Sequence, residues 1–373
     1  MKKIFAILLC LCMVFAAVAC TPATGDGQGS TPAETPAAST PSTPDNTDPT
    51  AAEYKLGMGI VVDTSSSADG KPQVDATVAT VVLDKDGKIV VCRIDAVQNK
   101  ATIADGVVTA TNLKTKMELG DEYGMAAAVN YGMDWNGDGV VKEWYDQVKA
   151  FEAYVVGKTA AEVEAMATKE VEGKGYIISA DDALLTAGCT IQITDFKAAV
   201  VKACNDDQAT TFTTAAAFTL GVSANSSDSS VAATEDTAGT VQMYSDFAAT
   251  VVADGKIVAA LNDAIQPKIA FEFDGTIGET NFKGTKRELK EGYNMAAYGS
   301  DNNGDEIVLE WYVQSAAFSK YVAGKTAAEV LALETQLVND HYISVDEALL
   351  TAGCTMQITG IMDVIAEAVN NAR

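Results

Sequence analysis

The chain has 373 residues, 48% of them hydrophobic, which is enough for two domain-sized cores and excludes a wholly disordered protein. Against 26 Lys and Arg stand 51 Asp and Glu, a formal charge of −25, so nucleic acid and anionic headgroups, which need a basic footprint, are argued against as partners. The one histidine, His341, removes most Ser-His-Asp, Cys-His and His-metal chemistry.

Residues 1–20 carry Lys2 and Lys3, an apolar run and then small residues before Cys20, the layout of an export signal too short to span a membrane well. Ala17-Val18-Ala19-Cys20 resembles the lipobox of bacterial lipoproteins. That resemblance implies cleavage before Cys20, a diacylglycerol on its thiol and an extracytoplasmic, lipid-anchored protein. Residues 21–53 hold Thr, Pro, Ala, Ser and Asp without a large apolar side chain, and are predicted to be a disordered tether.

The rest is a tandem duplication. TKMELGDEYGMAA at 115–127 recurs as TKRELKEGYNMAA at 285–297, EWYDQVKAFEAYVVGKTAAEV at 143–163 as EWYVQSAAFSKYVAGKTAAEV at 310–330, and ISADDALLTAGCTIQIT at 178–194 as ISVDEALLTAGCTMQIT at 343–359. The first copy is placed at 54–205, a joint at 206–215 and the second copy at 216–373, each with a core of its own. Cys189 and Cys354 occupy equivalent places, which excludes an intradomain bridge common to both copies; with Cys92 and Cys204 they are expected as buried free thiols.

Each copy reads as strands first and helices later. β-Branched runs flank Asp86-Gly87 in 76–97 and Asp254-Gly255 in the second copy, predicting hairpins. Trp144, Val148, Phe151 and Val155 fall at helical spacing, Gly157 stops that helix, and Thr159 with Glu162 opens the next as a capping box, repeated at Thr326 and Glu329. Trp144, Phe151, Trp311 and Phe318 are assigned to core packing. Each copy then ends as helix, short strand, helix: in the second, Ser344 to Glu347 caps the first helix, 354–358 is the strand and Thr359 starts the last. The expected fold class is α+β, with a mainly antiparallel sheet and C-terminal helices.

Alternation along 189–193 puts Cys189, Ile191 and Ile193 on one face and Thr190 with Gln192 on the other; Thr355 and Gln357 repeat this in the second copy. The helix that follows, from about Asp195 or Gly360, offers unpaired N–H groups, a natural phosphate or carboxylate site, while a solvent-facing Thr/Gln pair beside a capped helix is the structural alternative. GCTIQITDFKAAVVKA at 188–203 and GCTMQITGIMDVIAEAV at 353–369, each after a hairpin with Asp-Gly-Lys, resemble the C-terminal part of bacterial FMN-binding domains. Those domains occur in lipoproteins and membrane electron-transfer subunits, with a Ser/Thr-Gly-Ala-Thr motif before a closing helix. Gly188, Thr190, Gly353 and Thr355 match; Ala187, Ala352, Cys189, Cys354, Leu184 and Leu349 depart from the motif. In flavinylated members the FMN phosphate is esterified to the threonine, so the resemblance implies Thr190 and Thr355, with non-covalent flavin or another small anionic ligand as alternatives. Asp95, Gln98 and Lys100, echoed by Asp263, Gln266 and Lys268, are the polar strand-end residues expected to line such a slot, or else to be solvated.

Asp134, Asn136 and Asp138 with Gly139 and Glu143 resemble the start of an EF-hand-like calcium loop, and Asp301, Asn303, Asp305 and Glu310 repeat it, although Tyr145 and Tyr312 replace the closing bidentate carboxylate. A plain Asn/Gly/Asp turn is the alternative. The expected function is a surface lipoprotein with two FMN-binding-like domains, engaged in extracytoplasmic flavin binding or electron transfer. The rival is a non-enzymatic binding or adhesion module with calcium-stabilised loops. A carboxylate-pair hydrolase has no spacing to identify it.

Overall fold

The computed structural model describes residues 51–127, 134, 135, 137, 139–299, 301, 302, 304 and 306–373. In the first copy, strands β1 (Ala52–Asp63), β2 (Gln73–Leu83), β3 (Ile89–Ala104) and β4 (Val107–Asn112) precede helices α1 (Lys116–Leu119), α2 (Trp144–Val155) and α3 (Ala160–Glu164). A short pair, β5 (Thr168–Glu170) and β6 (Ile177–Ser179), leads to α4 (Asp182–Thr186) and the closing helix α5 (Thr194–Cys204). Strand β7 (Thr210–Thr214) joins the copies. The second copy has β8 (Thr219–Asp228), β9 (Gly239–Val241), β10 (Met243–Ala253), β11 (Lys256–Ile265), β12 (Lys268–Phe271) and β13 (Ile277–Asn281). Helices α6 (Lys286–Leu289), α7 (Met295–Tyr298), α8 (Trp311–Tyr321) and α9 (Ala327–Leu331) follow, then β14 (Thr335–Val338), β15 (His341–Ser344), α10 (Glu347–Thr351) and the closing helix α11 (Thr359–Asn370).

The fold is α+β, and the ladders are antiparallel: β4-β3-β2-β1-β7 in one sheet, β11-β10-β8 and β13-β12-β9 in two others. The hairpin turns form at Asp86-Gly87 and Asp254-Gly255, where Asp254 (φ 51°) and Gly255 (φ 73°) take the left-handed conformation that matches strand twist. Pleating then divides each strand between two cores. On β2, Val74, Ala76 and Val78 face the other copy, whereas Ala79, Val81 and Leu83 face α2 and α5. On β11, Ala259, Leu261 and Ile265 face the first copy, and Ile257, Ala260 and Ala264 face α8 and α11. Each copy thus has a helix-side core, and a third core, with Leu56, Phe212, Phe247 and Phe271, lies between the sheets of the two copies. Residues 210–214, read from sequence as part of the joint, pair with β1.

Helix capping follows the sequence closely. Thr159 and Thr326 each accept an N–H from the glutamate three residues on, and that glutamate caps back. The α10 cap differs: Asp346, not Ser344, accepts the Ala348 and Leu349 N–H groups, while Ser344 Oγ accepts the Asp346 N–H. The short strands expected at 189–193 and 354–358 are also absent; these segments have no ladder partner and run as bends between helices. The four cysteines of the two copies, Cys92, Cys189, Cys204 and Cys354, are buried and unpaired, and burial pushes the Cys189 and Cys354 thiols up to about 12.

Gly57 and Gly221 explain how closely each closing helix lies on its sheet. A Cβ on Gly57 would stand 2.0 Å from the Ala203 carbonyl oxygen, and one on Gly221 1.7 Å from that of Ala368. Gly221→Ala is therefore expected to cost about 1–3 kcal/mol by overpacking, read as a lowered urea midpoint with unchanged slope; an unshifted midpoint would show that the helix yields freely.

Candidate functional site

Each copy holds a cleft at the start of its closing helix, and the two are built from equivalent residues. In the first copy Gln98, Lys116, Tyr123, Met125, Trp144, Ile191 and Gln192 line a cavity of about 440 Å3. In the second, Gln266, Lys286, Tyr293, Met295, Trp311, Met356 and Gln357 line one of about 730 Å3. Both volumes lie in the range that encloses a drug-sized or cofactor-sized ligand.

The position of the lysine follows from the repeated Thr-Lys pair. Thr115 and Thr285 cap α1 and α6 through capping boxes, which fixes the next residue at the helix start and turns Lys116 and Lys286 toward the aromatic side chains. Lys116 Nζ lies 4.9 Å from the centre of the Tyr123 ring and 5.5 Å from that of Trp144. Lys286 Nζ lies 4.7 Å from Tyr244, 4.7 Å from Tyr293 and 5.3 Å from Trp311, and donates to Tyr244 Oη at 3.2 Å. Neither lysine forms a salt bridge within 4.0 Å among the described residues.

Two buried glutamines hold the wall opposite. Gln147 Oε1 accepts the Thr190 N–H at 2.9 Å and its Nε2 donates to Lys142 O at 2.8 Å. Gln314 Oε1 accepts the Thr355 and Met356 N–H groups, both at 2.8 Å, and its Nε2 donates to Leu309 O at 2.7 Å. These side-chain amides take the place of a strand partner for 189–191 and 354–356; the alternation expected there is not kept, since Thr190 and Thr355 are buried along with their apolar neighbours. Gln192 and Gln357 line the clefts. Thr190 and Thr355 are buried against the glutamines and do not line the clefts, nor do Gly188 (φ 97°) and Gly353 (φ 88°), which end the preceding helical turns.

Of the strand-end residues, Gln98 and Gln266 line the clefts, and Lys268 lines a smaller hollow beside the second. Asp95 and Asp263 turn inward instead. Asp95 Oδ1 accepts the Ala96 and Met117 N–H groups at 2.7 and 3.2 Å, and Asp263 Oδ1 those of Ala264 and Arg287 at 2.7 and 3.0 Å, tying each strand end to the helix that carries the lysine. Desolvation by burial raises their pKa values, to about 7 for Asp95 and about 6 for Asp263. Sequence reasoning missed Lys116 and Lys286, the two glutamines, and the cleft-facing edges of Trp144 and Trp311, which are core residues as expected and cleft residues besides. The available signal was the repetition of Thr-Lys and of Glu-Trp-Tyr-x-Gln in both copies.

Cys20 and four of the acidic-loop residues, Asn136, Asp138, Asn303 and Asp305, lie outside the described residues. Asp134 accepts the Gly137 and Gly139 N–H groups at 3.0 and 2.7 Å, and Asp301 those of Gly304 and Glu306 at 2.8 and 3.0 Å. Glu143 receives the Met125 and Ala126 N–H groups at 2.9 and 3.0 Å, and Glu310 those of Met295 and Ala296 at 2.8 and 3.2 Å, which positions the methionine of each cleft. Among the described residues there is no group of three or more side chains placed to hold a metal, and no helix long and apolar enough to cross a membrane.

No protein-family model matches the chain, and no solved structure matches it. Over 145 residues it is 28% identical to a chlorophenol reductase of Desulfitobacterium hafniense, a stretch covering 34% of this chain and 42% of that protein. The match therefore spans less than half the length of that relative, whose name is that of a redox enzyme.

Proposed function

We propose that this chain is an extracytoplasmic lipoprotein, anchored through Cys20, whose two copies are diverged FMN-binding-like domains that hold flavin in the paired clefts and pass electrons. The observation that carries the reading is the cleft itself, present at the same place in both copies, with aromatic and methionine walls and a lysine stacked on the rings. An isoalloxazine ring needs an apolar slot with a few donors at its electron-rich edge, and Gln98 and Gln266 with the two lysines supply donors there. The similarity to a protein named as a reductase supports a redox role. Burial of Thr190 and Thr355 favours non-covalent binding over an ester.

The test is the lipidated chain, purified in detergent without added cofactor. A yellow protein that releases FMN on acid denaturation and bleaches with dithionite is the expected result. A colourless protein that takes up neither FMN nor riboflavin leaves the binding-module alternative, with calcium at the acidic loops, as the better account.

A further inference from the structure

The two clefts differ at one point, and the difference is compensated. Asp195, in the first turn of α5, lines the first cleft together with Thr77, the β2 residue whose register matches Asp246 on β10. In the second copy the repeat places Gly360 at the helix position and Asp246 at the strand position. A Cβ on Gly360 would stand 2.8 Å from Asp246 Oδ2, so the strand carboxylate fills the space that the helix side chain takes in the first copy. Each cleft therefore keeps a carboxylate at the start of its closing helix, delivered from opposite walls, with a lysine in the same lining; Asp63 and Asp75 also line the first cleft, and Asp363 the second. Desolvation by burial raises both carboxyl pKa values, that of Asp246 to about 6; the rise is opposed by Lys116 at Asp195, and by the Tyr244 hydrogen bond and then Lys286 at Asp246.

A lysine that only needed a counter-ion would be expected to close on it. Here no direct pair forms within 4.0 Å, and in the second cleft Tyr244 Oη stands between, donating to Asp246 Oδ1 at 2.9 Å while accepting from Lys286. Donor and acceptor are thus held apart beside a flat, aromatic-walled space, an arrangement suited to a ring that presents an N–H next to a carbonyl.

We propose that the carboxylate in each cleft accepts a ring N–H of a heteroaromatic imide, with the lysine facing the adjacent carbonyl, and that the second copy preserved this acceptor by moving it from the helix to strand β10. The proposal rests on the flavin reading for its ligand, since the flavin ring carries such an imide, but it makes a demand of its own: ligands blocked at the imide nitrogen are rejected.

The test uses the full chain titrated with riboflavin and with 3-methylriboflavin, whose methyl group removes the N–H. Wild type is expected to bind the methylated compound at least about tenfold more weakly, because the carboxylate is left facing a methyl group. Asp195→Ala combined with Asp246→Ala is expected to abolish this preference. Adding Gly360→Asp to that pair is expected to restore it in the second cleft, with the carboxylate delivered from the closing helix as Asp195 delivers it in the first copy. Equal affinity of wild type for the two compounds overturns the proposal, as does a failure of Gly360→Asp to restore the preference. Uracil and 3-methyluracil separate the two readings. Uracil bound and 3-methyluracil rejected, with riboflavin unbound, removes flavin and keeps the acceptor; binding of no probe overturns both.

Discussion

Glu152→Ala is expected to destabilise the folded chain by about 3 kcal/mol, because it leaves the largely buried Arg93 and the buried Ile94 N–H without their acceptor. Glu152 sits on α2 with its side chain 5% exposed, where a carboxylate survives only if paired. Its Oε1 accepts the Ile94 N–H at 2.8 Å, Arg373 of the second copy reaches it at 2.7 Å, and Arg93 lies at 3.7 Å. Arg93 also donates to the Arg373 carbonyl, so one carboxylate holds an arginine from each copy. The equivalent residue on α8 is Ser319, which hydrogen-bonds Asn262 at 3.3 Å, and the device is therefore built only once. Arg373 is more than a third exposed, so Arg373→Ala is expected to cost much less, about 1 kcal/mol. Urea denaturation checks both; equal small losses would show that the cluster is solvated and contributes little.

Asp95→Asn is expected to make the chain more stable at pH 8 and to leave it nearly unchanged at pH 4. Burial lifts this carboxyl from its ordinary 3.8 to about 7, so between those values the folded state binds the proton that the unfolded state has released. Stability from this group therefore falls as pH rises through the window, by up to roughly 1.4 kcal/mol per pH unit. Asp263 and Asp246, raised to about 6, act in the same direction over a narrower range. The exposed capping carboxylates Glu162, Asp181, Glu329 and Asp346 are lowered by the bonds they accept and tilt the curve the other way at acid pH. The difference between Asp95→Asn and wild type isolates the buried group, and should grow from near zero to roughly 2–4 kcal/mol between pH 4 and 8. A constant difference would mean that Asp95 ionises as a surface carboxylate does.

Local chemistry was legible in the sequence wherever it is written in neighbouring residues. The Asp-Gly hairpins, the amphipathic α2 and the Thr-x-x-Glu capping boxes each depend on spacings of four residues or fewer, and the duplication doubled every signal. What involves residues distant in the chain was not legible. Strands such as β2 and β11 are buried on both faces, so their near-continuous apolar runs conceal that one face belongs to the other copy. The segments 189–193 and 354–358 have a strand-like sequence pattern but run as bends, because Gln147 and Gln314, more than 40 residues earlier, accept their N–H groups in place of a neighbouring strand. Lys116 and Lys286 look like surface lysines until Tyr123, Trp144, Tyr244 and Tyr293 are seen around them. The exchange of Asp195 for Asp246 involves two elements at once, so neither position shows it alone.

The claim that the paired clefts hold flavin is tested most directly by equilibrium titration of the full chain with FMN, followed by quenching of flavin fluorescence. Two equivalents bound per chain, falling to one with Lys286→Met and to none when Lys116→Met is added, is the result this structure predicts. FMN fluorescence that stays unquenched, or quenching indifferent to both lysines, would contradict it.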